Sequence, residues 1–192
     1  IREDAATAAV VQRALEADGV DIRLQSEVVR VEPGAQGRLA TIRTGGSESQ
    51  LEADAILVAT WRVPNVDDLG LDAAKVAFDP RKGIRVDDTL RTSNPRIYAA
   101  GDVCSAQKFT HAADAAARIV VQNALFGFAG KARFSGLTIP VCTYTDPEIA
   151  HVGLNERTAR EMGVSLDTYE APLQSQDRAV LEDHEHGLLR IH

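Results

Sequence analysis

Several residue types are scarce in this chain of 192 residues. It has two cysteines, Cys104 and Cys142, together with one tryptophan and one methionine. Two cysteines so far apart in sequence are too few for a disulfide scaffold or a zinc site. A reducing cytoplasm is the simplest setting for such a chain, so we predict a cytoplasmic protein.

Long apolar runs and excess positive charge are also missing. The strongest apolar stretches, residues 55–60 and 119–125, are well short of the ~20 residues that a membrane helix needs. With 21 basic and 28 acidic residues, the formal charge is −7. Because nucleic-acid binding depends on positive charge, we predict neither a membrane nor a nucleic-acid partner. No charged-then-apolar signal segment follows Ile1, which predicts a mature protein or a piece of a longer one.

The first third of the chain mixes helix and strand patterns. Apolar residues recur at helical spacing over residues 5–18, and Gly19 follows as a helix cap. Residues 20–24 alternate like a strand. Three β-type runs separated by glycine-containing turns predict an antiparallel meander over residues 27–32, 39–44 and 50–53. Residues 55–59 are apolar throughout, as in a buried parallel strand.

The middle of the chain predicts a second strand–loop–helix unit. Residues 61–95 are rich in turn signals and predict a crossover connection with short strands around residues 84–86. Residues 96–100 predict a strand that stops at Gly101-Asp102. The alanine-rich residues 110–125 predict a helix, with Thr110 as its N-cap and Asp114 in its first turn.

The last part of the chain changes character after Gly127 and Gly130. The pattern predicts a helix that begins at an Asn cap, residues 155–162, among strands at residues 141–144, 166–169 and 187–191. We therefore predict a separate α+β domain.

One local pattern could bind a ligand. A strand that ends in Gly-Asp places the Asp102 carboxylate at a sheet edge, and the helix after it offers free N–H groups to an electron-rich ligand. A plain Gly-Asp turn beside an ordinary capped helix explains the same residues. No Gly-x-Gly-x-x-Gly, Walker A, Gly-x-Ser-x-Gly or His-Glu-x-x-His motif is present. We predict that His184 and His186 lie in a solvated turn. We predict that both cysteines are small buried hydrophobic residues.

Three segments in order resemble a known family. They are residues 53–65 (ADAILVATWRVPN), 97–103 (IYAAGDV) and 139–153 (IPVCTYTDPEIAHVG). The chain is identified by them as a member of the flavin-dependent pyridine nucleotide-disulfide oxidoreductases. This family includes dihydrolipoamide dehydrogenase, glutathione reductase and mercuric reductase. Residues 108–114 and 145–148 are most similar to the mercuric reductase-like branch.

The resemblance implies where two cofactors would bind. It gives Asp102 the role of holding the ribityl chain of FAD, and it puts Lys108, Phe109, Thr110 and His111 beside the flavin. Backbone N–H groups at the helix start would face the pyrimidine edge, where reduced flavin gathers negative charge.

The resemblance also implies contacts with NAD(P)H at Val28 and at Trp61. Trp61 stands where the family has glycine, so a bulky indole replaces a residue that normally lies against the dinucleotide.

A domain plan follows from the same resemblance. The fold class is α/β, with the remainders of two FAD/NAD(P)-binding Rossmann-like domains followed by the start of an α+β interface domain. Residues 1–60 would close the NAD(P)-binding domain, 61–133 the FAD-binding domain, and 138–192 would open the dimerisation domain of a homodimer. The family's redox-active cysteine pair belongs before Ile1, so we expect a fragment of a roughly 450–500 residue enzyme that is inactive alone.

The implied activity is hydride transfer from NAD(P)H through FAD to a disulfide or to thiol-bound Hg(II). Two alternatives remain open. The piece could be a dimerisation or interaction module without activity of its own. It could also belong to a flavoprotein of the NADH oxidase or ferredoxin reductase type, and the presence of a cysteine pair would separate these.

Overall fold

The structure is a computed structural model that describes residues 3–60 and 62–192. The described residues divide into two compact units. One unit comprises residues 3–60, 143–149 and 154–192, and the other comprises residues 62–142 and 150–153. Each combines helices with short strands, as the mixed pattern of the sequence predicts.

The described residues form four α-helices and nine strands, joined by turns and short 3₁₀ segments. The helices are α1 (Ala5–Ala17), α2 (Thr110–Phe126), α3 (Glu156–Met162) and α4 (Asp177–Leu181). The strands are β1 (Ser26–Pro33), β2 (Arg38–Thr44), β3 (Ser47–Ala53), β4 (Phe78–Asp79), β5 (Gly83–Ile84), β6 (Val141–Thr143), β7 (Ile149–His151), β8 (Tyr169–Pro172) and β9 (Leu188–Ile191).

The predicted meander is confirmed. Strands β1, β2 and β3 form an antiparallel sheet in that order, and β2 lies at its centre. Ala40, Thr41 and Ile42 of β2 are buried, while the outer strand β3 is almost entirely exposed. The central strand carries the buried residues because it alone has a paired neighbour on each side.

Both predicted helix ends of the first unit are confirmed. Helix α1 ends before Gly19, which has φ +86° and donates its N–H to the Glu16 carbonyl at 3.0 Å. Helix α3 begins at Asn155, whose side chain accepts from the Thr158 N–H at 2.9 Å, and Gly163 ends it in a left-handed conformation. The local capping residues therefore set these boundaries.

The second unit is built around two apolar clusters. The larger consists of Val66, Leu71, Val76, Ile84 and Ala99. The smaller contains Leu90, Ala116 and Ile119, and it packs one face of α2 against the preceding loop. At the far end of α2, buried Asn123 bonds the carbonyls of Thr89 and Ala132 and accepts from the Ala132 N–H. This helix is thus anchored along its buried face and at its end.

Three predicted strands are wrong. Residues 20–24 and 55–59 form no strand, and Leu57 and Val58 are 90% and 77% exposed. Residues 96–100 contribute only a single bridge, between Arg91 and Tyr98. A strand needs paired neighbours that satisfy its backbone groups, and none of the sheets of the described residues includes residues 20–24, 55–59 or 96–100.

Two other expectations hold in part. The predicted short strands near residues 84–86 correspond to the β4–β5 pair and to a bridge between Val86 and Thr92. The strand predicted at residues 166–169 begins only at Tyr169, where β8 pairs with β9. Pairing with a distant segment sets that boundary, and a local sequence pattern does not reveal it.

Candidate functional site

Gly101 sets the geometry of the turn that carries Asp102. Its φ is +79°, a left-handed conformation that favours glycine. A Cβ atom built on Gly101 would lie 3.3 Å from the Cβ of Ala113 in α2. The turn, a 3₁₀ segment over Gly101–Val103, therefore comes close to the helix. This turn replaces the strand end that the sequence predicts for Asp102.

Gly83 supports the same turn from the other side. Its φ is +90°, and a Cβ built on it would overlap the Val103 carbonyl oxygen. Only a glycine in β5 allows this close approach of two backbones. Two glycines therefore position Asp102, one before it in sequence and one across the fold.

A closed ring of contacts joins Asp102, Lys108 and Arg62. Arg62 Nη1 lies 3.9 Å from Asp102 Oδ2 and donates a hydrogen bond to the Lys108 carbonyl at 3.1 Å. Lys108 Nζ donates to the Asp102 carbonyl at 2.8 Å. The ring fixes both ends of the loop between the turn and α2. Half of the Asp102 side chain stays exposed, so its carboxylate can still accept hydrogen bonds.

The sequence did not predict that Arg62 contacts Asp102 and Lys108. Arg62 lies in the closing segment of the family resemblance, so the motif contained it. Its partners are 40 or more positions away, and no local pattern predicts such a contact.

The start of α2 differs from the prediction in one detail. Its N-cap is Phe109, and Thr110 is the first helical residue. Among the described residues, no side chain caps this end. The first backbone bond into the helix runs from the Ala113 N–H to the Phe109 carbonyl at 2.9 Å. The N–H groups of Thr110, His111 and Ala112 therefore have no intrahelical acceptor and can face a ligand.

Asp114 does not serve the helix start either. It accepts a hydrogen bond from Arg118 at 2.8 Å, one turn further along the helix. Its carboxylate is thus engaged away from the N-terminus. The partial positive charge of the helix start is left for another negative group.

His111 has two defined contacts. Its Nε2 lies 2.8 Å from the Pro140 carbonyl oxygen, and its ring stacks on Phe109 with the ring centroids 5.3 Å apart. The imidazole side chain is therefore held by protein groups. Thr110 and His111 lie at the helix start, as predicted, together with Lys108 and Phe109.

Cys104 follows the Asp102 turn as a half-buried thiol. Desolvation raises its pKa to about 11, although the positive charge of Lys108 opposes the shift. Its Sγ lies 3.6 Å from the Gly101 carbonyl oxygen. A thiol with this pKa stays protonated near neutral pH, which does not suit a nucleophile.

Two further residues, Val28 and Trp61, are predicted to contact NAD(P)H. Val28 lies on β1 in the other unit, where its side chain is 59% exposed. Trp61 lies outside the described residues.

Two other expectations concern metals and membranes. Within residues 3–60 and 62–192, no group of three His, Cys, Asp or Glu side chains could hold a metal ion. His186, one of the two histidines in the acidic segment, is exposed to solvent. The helices of the described residues include none that is long and apolar enough to span a membrane.

Comparison with known proteins defines the class. Residues 2–117, more than half of the chain, match the family described as pyridine nucleotide-disulphide oxidoreductase. Residues 139–192 match the dimerisation domain of that family. The chain therefore belongs to the pyridine nucleotide-disulphide oxidoreductase family, which confirms the resemblance. Members of this family depend on FAD and use NAD(P)H.

Curated relatives of two activities are similar to the chain. A mercuric reductase from Lysinibacillus sphaericus is 34% identical over 181 residues, which cover 94% of this chain and 33% of that protein. A dihydrolipoyl dehydrogenase from Thermus scotoductus is 34% identical over 190 residues, which cover 98% of this chain and 40% of that protein. The chain thus spans 33–40% of the length of these relatives.

Solved structures agree with the sequence match. The HOCl-induced flavoprotein disulfide reductase RclA from Escherichia coli superposes with a TM-score of 0.83 at 29% identity, covering 98% of this chain and 42% of that one. LpdA from Mycobacterium tuberculosis superposes with a TM-score of 0.84 at 28% identity, and the match covers 100% of this chain and 40% of that one. The predicted α/β fold class with Rossmann-like parts is confirmed.

The hydrogen-bond donors and acceptors of the described residues match the chemical groups of a flavin. FAD carries hydroxyl groups on its ribityl chain and becomes electron-rich at its pyrimidine edge on reduction. The half-exposed Asp102 carboxylate can accept from hydroxyls, and the uncapped start of α2 can donate to a negative edge. The chemistry of this donor and acceptor set therefore matches the group.

Proposed function

We propose that this chain is part of an FAD-dependent oxidoreductase that passes hydride from NAD(P)H to a disulfide or to thiol-bound Hg(II). The observation that carries the proposal is the half-exposed Asp102 carboxylate beside the uncapped start of α2, within a segment that belongs to the family. FAD, when bound, supplies the hydride transfer between nicotinamide and acceptor.

The residues of this chain bind and orient the flavin. Asp102 accepts hydrogen bonds from ribityl hydroxyls, and Arg62 holds the loop that carries it. The backbone N–H groups of Thr110 and His111 stabilise negative charge at the pyrimidine edge, and Phe109 belongs to the same cofactor-binding set. Lys108 fixes the Asp102 carbonyl through the 2.8 Å hydrogen bond.

Val28 and Trp61 are proposed to contact NAD(P)H. The support is the position of both residues in the family resemblance. Trp61 carries a bulky indole where the family has glycine. It thus becomes a determinant of how the dinucleotide lies.

The proposed acceptor rests on the relatives. Curated proteins that are 32–34% identical to the chain are named mercuric reductase or dihydrolipoyl dehydrogenase. Both names are consistent with an acceptor that is a disulfide or a thiol-bound metal ion. The short coverage of these relatives supports a longer parent protein, with residues 1–60 from its NAD(P)-binding domain and 61–133 from its FAD-binding domain. We propose that residues 1–192 alone are inactive and that the parent works in the cytoplasm.

A second candidate function has its own support. The match of residues 139–192 to a dimerisation domain favours an interaction module, with residues 138–192 as the surface of a homodimer. This role is compatible with the enzymatic one. As the sole role of the chain, it predicts dimerisation without flavin binding.

The experiment is reconstitution of the full-length protein with FAD, followed by anaerobic titration with NADH and NADPH. We expect a yellow protein whose flavin absorbance is bleached by one of the two. Reoxidation by a disulfide or by thiol-bound Hg(II) then identifies the acceptor, whereas reoxidation by oxygen alone favours an oxidase. A protein that stays colourless after reconstitution would contradict the proposal.

A further inference from the structure

The side chain of His111 connects two segments that are distant in sequence. Its Nε2 lies 2.8 Å from the carbonyl oxygen of Pro140, 29 residues further along the chain. His111 is the second residue of α2, and Pro140 immediately precedes β6. Both residues belong to the same unit.

The chemistry of this contact fixes the hydrogen position. A carbonyl oxygen only accepts hydrogen bonds, so Nε2 of His111 carries the hydrogen and donates it. The ring of Phe109 lies nearly parallel to the imidazole, at an interplanar angle of 22°. The stacking restrains the imidazole plane, and the hydrogen bond restrains its rotation.

The first turn of α2 needs such support from outside the helix. Its backbone N–H groups have no intrahelical acceptor, and no described side chain caps them. Helix ends of this kind fray unless tertiary contacts hold them. The bond from His111 to Pro140 holds this turn at its second residue.

We infer that His111 is a positioning residue, whose side chain fixes the first turn of α2 against the segment before β6. This inference rests on the proposed function, because the turn it fixes is the one proposed to face the flavin. It assigns the imidazole to Pro140 and leaves only the backbone N–H of His111 for the cofactor.

Two substitutions separate the hydrogen bond from the stacking. His111→Phe keeps a ring against Phe109 and removes the donor. His111→Gln removes the ring and keeps an N–H donor at the position of Nε2. Arg118→Gln is the matched control, because it breaks an exposed hydrogen bond with Asp114 on the same helix, away from Pro140.

The first measurement is amide hydrogen exchange of the full-length protein without FAD, followed in peptides that cover β6 and residues 113–116. We expect His111→Phe to accelerate exchange in both segments by about two- to tenfold, which corresponds to the loss of one net hydrogen bond. His111→Gln and Arg118→Gln should exchange at about the wild-type rate there.

The second measurement is the dissociation constant of FAD. We expect a rise of about two- to tenfold for His111→Phe and recovery of most of this loss in His111→Gln. Exchange at the wild-type rate in His111→Phe would overturn the inference, as would failure of His111→Gln to restore protection or an FAD affinity that His111→Phe leaves unchanged.

The two proposals fail in distinguishable ways. If the wild-type protein binds no FAD, the proposed function is wrong, and exchange in the FAD-free protein still decides whether the bond fixes the helix start. If His111→Phe does not fold, His111→Ala replaces it, because it also removes the donor: faster exchange in His111→Ala than in His111→Gln supports the link, and equal exchange overturns it.

Discussion

Asp102 is the residue on which the proposed flavin site depends most. Its carboxylate is half exposed, and the turn around it is fixed by Gly101, Gly83 and Lys108. A rigid backbone with an available acceptor is what recognition of hydroxyl groups requires.

We predict that Asp102→Ala weakens FAD binding by about 1–3 kcal/mol, because it leaves buried polar groups of the cofactor without a partner. Asp102→Asn keeps one carbonyl acceptor and should lose less. Asp114→Ala serves as control, because Asp114 lies in the same unit and bonds Arg118 on the helix. Fluorescence titration of the three variants with FAD measures the loss. Equal affinity of Asp102→Ala and the control would contradict the assigned role.

A second residue-scale prediction concerns Cys104. Burial raises the pKa of this thiol from 9.0 to about 11, so the folded state binds the proton more tightly than the unfolded state does. The stabilising contribution is complete below pH 9.0 and is lost as the pH rises to about 11.

The rate of alkylation by iodoacetamide measures this shift when it is followed by mass spectrometry of the peptide that contains Cys104, so that no other thiol contributes. The rate is proportional to the fraction of thiolate. We expect it to reach half of its maximum near pH 11 in the folded protein and near pH 9 in urea. Folded and unfolded protein alkylated at the same rate at pH 8 would show that the thiol is not protected.

At the scale of elements, the sequence predicted helices better than strands. The apolar periodicity of α1, α2 and α3 lies within each helix, and Gly19 and Asn155 flank α1 and α3, so local residues were enough. The predicted strands at residues 55–59 and 96–100 depend on neighbours that the described residues do not supply. Antiparallel β1–β3 was predictable because each strand finds its partner across a short turn.

The sequence predicted the local parts of the candidate site but not its long-range contacts. Asp102 and the helix start stand next to each other in sequence, and a family motif marks both. The contacts of Arg62 with Lys108 and of His111 with Pro140 join residues 46 and 29 positions apart. Only the folded chain reveals these partners.

The close approach of β5 to the Asp102 turn gives an element-scale prediction. Gly83→Ala puts a methyl group into the Val103 carbonyl and forces a non-glycine residue into φ +90°. We expect a loss of more than about 1 kcal/mol in the free energy of unfolding, with weaker FAD binding, because the turn must move. Gly45→Ala is the control, since it has a positive φ but open space around it.

Urea unfolding of both variants measures the difference, and FAD titration shows whether the turn has shifted. A Gly83→Ala protein no less stable than Gly45→Ala would mean that the backbone contact does not constrain the turn.

At the scale of the whole molecule, the dimerisation-domain match has a direct consequence. We predict that the full-length protein is a homodimer, and that truncation of the protein before residue 138 leaves a monomer. Light scattering coupled to size-exclusion chromatography measures both masses across a range of concentrations. A full-length protein that stays monomeric throughout that range would rule out the proposed interface.

We propose that Asp102 and the start of α2 together bind FAD. The most direct measurement is a crystal structure of the full-length protein loaded with FAD. We expect a ribityl hydroxyl within hydrogen-bond distance of the Asp102 carboxylate, and the flavin pyrimidine edge at the N–H groups of Thr110 and His111. Apolar side chains packed over Asp102, or a flavin bound elsewhere, would contradict it.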